Sequence, residues 1–419
     1  MDSIRTHLIR MLRWSEKYTK TDMVKLVSGG SFITAGYAIA VLSQLGLAIG
    51  FGHLLEPTRY GTYRILLELY ALINVLAPLG IANELSRDAA QGVRLSLARS
   101  FALTLRWSWP TLLGALAVVG WFALRGESWV LMALVLCTIP LQNASMMYSS
   151  YLLGARDFKR VSLYTSTITV MQSVLVLGTL LISHDPYILF GVYGLSGLGL
   201  NIIAYRHTKK RIGADLVPTP ERHDFKKASI RQTLLSSVTN LVGHADALLI
   251  AWLLGPFALA TYTYATGIPD QIRGMFKAGS TMLFPAFVTR PGEVVASSMR
   301  HKMLITMIAA GIVGGIYVVL APLLFSLLFP LYVAAVPYSQ WYAISVITVA
   351  VFIPLSAINA RGEHNTQIRH TLITNGTQLA LYCVLIPLFN IDGALLAIIL
   401  GRIYALWYAY RLAQKPYAK

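Results

Sequence analysis

The feature that most constrains this chain is a run of twelve apolar blocks, each close to the ~20 residues a helix needs to cross a bilayer. They fall at roughly 28–52, 65–82, 105–124, 129–153, 162–182, 187–205, 233–254, 257–285, 303–329, 334–358, 371–389 and 391–410. Helices are the reading compatible with such blocks, because a lone strand leaves its backbone polar groups unsatisfied in lipid. Charged residues make up only 13% of the chain, and the mean hydropathy of +0.60 is concentrated in long blocks rather than short periodic stripes. The predicted fold class is all-α, a polytopic membrane protein of about 12 transmembrane helices. Cys137 and Cys383 lie inside apolar blocks, too few for a disulfide framework and too isolated for a zinc site, so no metal is expected.

Orientation follows from the positive charges. With the N-terminus inside, 29 of the 35 Lys and Arg fall in cytoplasmic segments and only Arg59, Arg64 and Arg125 in external loops. Both termini are therefore expected in the cytoplasm, in a bacterial inner membrane. The excess of +17 is spread over many short segments as an orientation signal, which excludes a single nucleic-acid-binding face. Residues 1–27 alternate acids and bases, so no signal peptide is expected there. Ile4, Leu8 and Leu12, set among Arg5, Arg10, Arg13 and Lys17, suit either an amphipathic helix on the cytoplasmic leaflet or a solvated tail.

The polar stretch around Arg206 to Arg231 follows the sixth block and divides the chain into two halves. The expected organisation is a 1–27 N-terminal segment, a 28–205 lobe of six helices, a 206–232 basic linker, a 233–410 lobe of six helices and a 411–419 tail. The halves resemble one another. Leu54-Leu55-Glu56-Pro57 with Thr62-Tyr63 matches Leu253-Leu254-Gly255-Pro256 with Thr261-Tyr262; Ala155-Arg156 matches Ala360-Arg361; Ala204-Tyr205-Arg206 matches Ala409-Tyr410-Arg411. An even number of spans per half makes the repeats parallel, with a pseudo-two-fold axis along the membrane normal. Such a plan places a substrate cavity between rocking lobes.

Motifs of soluble enzymes are absent: no phosphate-cradling loop, no HExxH and no nucleophile elbow. External loops are short, which argues against an enzyme. What remains is intramembrane charge, costly enough to mark function. Thr266, Asp270, Arg273 and Lys277 share one face of the eighth span, where Pro269 is expected to kink the helix. The seventh span adds Asn240, His244 and Asp246, and the twelfth adds Arg402. Two cations on one buried face suit a phosphate or diphosphate, Arg as a bidentate fork and Lys as a point charge. Other readings stand beside this one: an Asp270–Arg273 pair that neutralises itself, Lys277 snorkelling to the interface, Asp246 as a partner of Arg273 or Arg402, and His244 as a packed, hydrogen-bonded residue. Arg64 and Glu68, four apart, read either as site residues or as a surface pair at the outer interface.

The run from Gly50 to Tyr63, Leu79-Gly80 with Glu84 and Arg87, and Leu153-Gly154-Ala155-Arg156 together resemble polysaccharide flippases of the Wzx type, within the multidrug/oligosaccharidyl-lipid/polysaccharide (MOP) exporter superfamily. The resemblance is strongest over about residues 24–105. The chain departs from the pattern at Glu56 and Ala260, where that family carries Gly. It implies a two-lobed, non-enzymatic transporter that moves an undecaprenyl-diphosphate-linked oligosaccharide between leaflets by alternating access, for O-antigen or a similar lipopolysaccharide or surface polysaccharide. Implied substrate-binding residues are Arg273, Lys277, Arg402, Arg64 and Asn240. Asp246, Asp270 and Glu68 are the implied ion-coupling groups, without a cofactor but with coupling to a proton or sodium gradient. Membrane lipid, a polysaccharide polymerase and a chain-length regulator are the expected partners. The alternatives are a multidrug/cation antiporter of the same superfamily and a membrane polymerase or ligase of polysaccharide assembly.

Overall fold

A computed structural model describes residues 23–90, 97–126, 129–212, 225–281, 292–360 and 364–414. Among these residues every regular element is helical. The first half comprises α1 (Met23–Leu54), α2 (Pro57–Asn74), α3 (Leu79–Ala90), α4 (Leu97–Trp107), α5 (Trp109–Leu124), α6 (Val130–Cys137), α7 (Ile139–Ser145), α8 (Met147–Gly154), α9 (Phe158–Leu180) and α10 (Pro186–Ile212). The second half comprises α11 (Phe225–Thr281), α12 (Gly292–Leu328), a 3-10 turn (Pro330–Ala335), α13 (Val336–Ala343), a second 3-10 stretch (Ile344–Val351), α14 (Phe352–Ala360) and α15 (His364–Ala413).

Seven of these helical stretches are long and apolar enough to cross a membrane, and nine if each of two bent pairs is one span. Two of the seven are hairpins of two spans each. At 57 residues α11 would run ~85 Å if straight, far beyond a ~30 Å bilayer core. It breaks at Gly255 (φ 84°), and Ala247 and Ile250 before the break pack with Leu259 and Tyr262 after it. The 50-residue α15 breaks at Asn390 (φ 56°), and Gln378 Nε2 on one leg donates to the Ala397 carbonyl on the other at 3.1 Å. Counting each hairpin as two and adding the shorter apolar helix Ala38–Leu54 recovers the twelve predicted spans. Several large side chains lie bare on the outside, Leu124 at 90% exposure and Trp252 at 80% among them. Contiguous apolar surface of that kind is suited to lipid.

The spans are less regular than predicted. The expected 65–82 helix begins at Pro57 and is broken at 75–78, where α2 and α3 meet at 64°. Pro78 lacks the N–H and crowds the preceding turn. The 105–124 block bends by 46° ahead of Pro110. Within α11 only Gly255 leaves helical φ/ψ, so Pro269 does not interrupt the helix. Helix also extends into the predicted linker, to Ile212 on one side and from Phe225 on the other; the rest of that linker, most of 1–27 and most of the 411–419 tail lie outside the described residues.

The repeat motif is a turn before a helix-starting proline, and its two copies differ. Glu56 takes φ −56°, ψ 145° ahead of Pro57, a conformation open to any residue. Gly255, ahead of Pro256, sits at φ 84°, which only glycine adopts freely. The departure at Glu56 is thus geometrically neutral.

These two turns also join the halves. A Cβ on Gly61 would stand 1.8 Å from the Pro256 carbonyl oxygen, so only glycine allows the contact. Around it Phe51, Tyr60 and Tyr63 of the first half pack with Tyr264, Phe329 and Tyr332 of the second, Tyr264 stacking on Tyr332 at 3.8 Å. Tyr264 and Tyr332 donate to the carbonyls of Ala48 and Leu55, both at 2.9 Å. One end of the junction is therefore an aromatic seal. Toward the other end α2 and α3 stay against the first leg of α11, with Ser237 Oγ donating to Val75 O at 2.5 Å and Gly80 N to Thr233 Oγ1 at 3.0 Å.

Candidate functional site

Beyond the seal, the second leg of α11 carries Thr266, Asp270, Arg273 and Lys277. Thr266 is buried and donates to the Tyr262 carbonyl one turn back, so it is spent within its own helix. Asp270 is 45% exposed at its side chain and stands at a convergence of elements. Arg402, from the second leg of α15, donates through Nη2 to Asp270 Oδ1 at 3.0 Å and through Nη1 to Ser345 Oγ at 2.9 Å. Tyr342, on α13, donates its hydroxyl to both Asp270 oxygens, at 2.9 and 3.1 Å, and the Arg402 guanidinium lies 5.1 Å from its ring centre.

Arg273 is placed differently. Its guanidinium lies 5.6 Å from the Phe352 ring, and Lys277 Nζ lies at the same distance from that ring. Arg273 Nε is buried without a hydrogen-bond partner, and among the described residues Arg273 makes no ion pair. Arg402 is a repulsive neighbour. An unsatisfied buried donor costs about 1–3 kcal/mol, and more when charged. Asp270 is engaged by Arg402, so the two arginines outweigh the one carboxylate that stands among them.

The alternative reading of an Asp270–Arg273 pair does not hold: Asp270 pairs with Arg402, which joins positions 132 residues apart. Arg273 turns instead to Phe352, across the helix packing. Asp246 pairs with neither arginine: it accepts from the Tyr262 hydroxyl and, at 2.8 Å, from its neighbour's amide, Ala247 N. The α11 hairpin supplies both partners locally, so no cation is needed to hold the carboxylate.

A second charged group lies between the halves. Arg64 Nη2 donates to Glu68 Oε1 at 2.6 Å, and His244 Nδ1–H donates to Glu68 Oε2 at 2.8 Å across 176 residues. Glu68 is only 4% exposed. The expected surface pair is thus a buried bridge, because α2 packs along α11 and its Glu68 face is covered. His244 is hydrogen-bonded, as the packed reading has it. Asn240 is half-buried one turn before His244 and makes no hydrogen bond among the described residues. The candidates therefore form two groups, with Asp246 and Tyr262 between them.

Tyr342, Ser345, Tyr262 and Phe352 escaped the sequence reading. A tyrosine inside an apolar span carries a weak signal, since a buried hydroxyl needs a partner. Tyr342 is 1% exposed and Tyr262 5%. Among the described residues no group of three or more His, Cys, Asp or Glu is arranged to hold a metal ion.

Solved structures share this fold. An inward-facing multidrug resistance MATE family transporter of the MOP superfamily matches with a TM-score of 0.64 at 15% identity, over 90% of this chain and 94% of that one. The lipid II flippase MurJ, in an inward closed conformation, matches with a TM-score of 0.64 at 11% identity, over 90% and 86%. A MOP superfamily transporter from Pyrococcus furiosus, described as having a binding pocket of reverse polarity suggesting a different function, matches with 0.58 at 13% identity, over 92% of each chain. No family model matches the chain, and no curated protein matches it by sequence. The protein is a polytopic membrane protein with the fold of MOP superfamily transporters.

Proposed function

We propose that this protein is a non-enzymatic flippase that carries an undecaprenyl-diphosphate-linked oligosaccharide from the cytoplasmic to the periplasmic leaflet, serving assembly of O-antigen or a similar surface polysaccharide. The observation that carries the reading is Arg273: a buried guanidinium with an unfilled donor, beside the like charge of Arg402, whose one carboxylate partner is Asp270. A diphosphate supplies the missing acceptor, and its negative charge offsets the repulsion between the two arginines. The same charge disfavours the multidrug reading, because an organic cation would enter a positive site. A lipid II flippase among the structural neighbours supports a lipid-linked cargo.

In this reading residues 28–205 and 233–410 are lobes that rock about the Gly61–Pro256 contact, with both termini in the cytoplasm of a bacterial inner membrane. The aromatic seal then closes the periplasmic end, and the sugar and diphosphate enter from the cytoplasmic side. Arg64 and Asn240 would contact substrate once the lobes separate. Asp246, Asp270 and Glu68 are proposed carriers for a coupling proton or sodium ion, and a polymerase and chain-length regulator are proposed partners downstream.

The test is flipping of a fluorescent polyprenyl-diphosphate sugar in proteoliposomes. Arg273→Ala is expected to reduce the rate at least ten-fold, and Arg273→Lys to restore part of it, since charge returns without the fork. Wild-type rates in Arg273→Ala would sink the assignment. Export of an organic cation by the wild-type protein, with no flipping, would favour the multidrug reading.

A further inference from the structure

At the opposite side of the first half from its aromatic seal, the ends of three helices enclose a hollow of about 270 Å³. Its walls are the end of α8, the start of α9 and the last turn of α10, with Asp157, Arg160, Tyr164, Thr208 and Arg211 as the polar lining and Leu152 and Ile212 as the apolar lining. The space is below the ~300–1,000 Å³ typical of drug-sized ligands, so it suits a small headgroup.

Charge and construction both select an anion. Residues 155–160 and 204–212 hold seven Lys and Arg (Arg156, Lys159, Arg160, Arg206, Lys209, Lys210 and Arg211) against one carboxylate, Asp157. That carboxylate is already engaged, capping α9 through Arg160 N and pairing with the Arg160 side chain. Orientation signals alone require only that such cations lie on one side of the membrane. Here two of them, from different helices, converge on one concavity. Its rim is fixed by a hydrogen bond between the Tyr164 hydroxyl and His207 Nδ1 at 2.5 Å, while Tyr164 packs edge-on against the buried Tyr148 at 5.8 Å. Thr208 Oγ1 is satisfied within α10 by the Ala204 carbonyl and Arg160 is paired with Asp157, which leaves the Arg211 guanidinium, beside the remaining Arg160 N–H donors, to face an incoming acceptor. The start of α9 adds the positive end of a 23-residue helix.

We infer that the Arg160–Arg211 hollow is a binding site for a phosphate-bearing anion, supplied by the headgroup of an anionic phospholipid. The inference is independent of what the protein transports. A cation at the membrane surface gains roughly five-fold in affinity for anionic lipid; Arg160 is offset by Asp157, so Arg211 accounts for a preference of about five-fold.

The experiment uses the full-length protein in detergent, with lipid occupancy read by native mass spectrometry during titration with short-chain phosphatidylglycerol, short-chain phosphatidylcholine or glycerol 1-phosphate. Phosphatidylglycerol is expected to be retained about five-fold better than phosphatidylcholine. Arg211→Gln, which leaves the Asp157–Arg160 cap intact, is expected to lower its occupancy about five-fold, and Arg160→Gln with Arg211→Gln to abolish the preference. Arg125→Gln, at an arginine stacked on Trp121 at the other membrane face, is expected to change nothing. Binding of glycerol 1-phosphate at equal strength would uphold the phosphate chemistry and assign it to a soluble source. Equal retention of phosphatidylcholine, or an equal loss in Arg125→Gln, would overturn the site.

Discussion

Two groups of charge lie within the spans, and they solve the same electrostatic problem in opposite ways. Arg64, Glu68 and His244 form a closed set across the two halves, with a nearly fully buried carboxylate taking a donor from each side. Asp270, Arg402, Arg273 and Lys277 form an open set within one half, with the carboxylate committed to Arg402 and Tyr342 and a second guanidinium left unpaired. Arg64 Nε also lacks a partner, but its Nη2 holds Glu68; Arg273 has no such anchor among the described residues. A closed set spanning the halves holds a conformation. In the proposed reading, the open set on one half receives an anionic ligand.

The largest effect expected from breaking this contrast comes from Glu68→Ala. It removes the acceptor for both Arg64 and His244, and losing one partner of a buried charge network costs about 3–5 kcal/mol. Thermal melting in detergent should fall markedly. An unchanged melt would mean the bridge contributes little.

Asp270→Asn ranks next. It keeps the hydrogen bond from Tyr342 but takes the charge from a half-exposed pair, so about 1 kcal/mol of stability is expected to go. The open set becomes more positive, and tighter retention of a diphosphate should accompany slower release. Weaker retention would argue that Asp270 orients Arg402 for the ligand. The smallest effect is predicted for Lys277→Gln, at an exposed side chain. Its stability should match wild type within about 0.5 kcal/mol, with only a modest fall in diphosphate affinity. A large loss of stability there would place Lys277 in the framework rather than the site.

How much of this was legible in the sequence varies with distance along the chain. The helical spans could be read from apolar length alone, because backbone satisfaction in lipid is a local demand met by each segment. The hairpin turn at Gly255-Pro256 was readable as a repeat of Glu56-Pro57, although the two turns use different backbone conformations. The bend at 75–78 was within reach, since Pro78 sits inside the block, but block length concealed it. Partner choice was not legible. Helical spacing places Asp270 and Arg273 on one face, yet which of them meets Arg402 depends on how α15 crosses α11. Likewise Glu68 reads as a surface residue until α2 is known to pack against His244. Tyr342 carried no charge to draw attention, and its hydroxyl matters only because Asp270 faces it.

In the proposed function Arg273 is held unpaired for an anionic ligand rather than for the fold. Calorimetric titration of a short-chain polyprenyl diphosphate into wild-type and Arg273→Ala protein in detergent, with melting followed on the same samples, separates the two roles. Roughly ten-fold or greater loss of affinity is expected, in line with losing a hydrogen bond to a charged group, with the melting temperature unchanged. Undiminished affinity, or a loss that appears only together with a collapse in melting temperature, would contradict the ligand role.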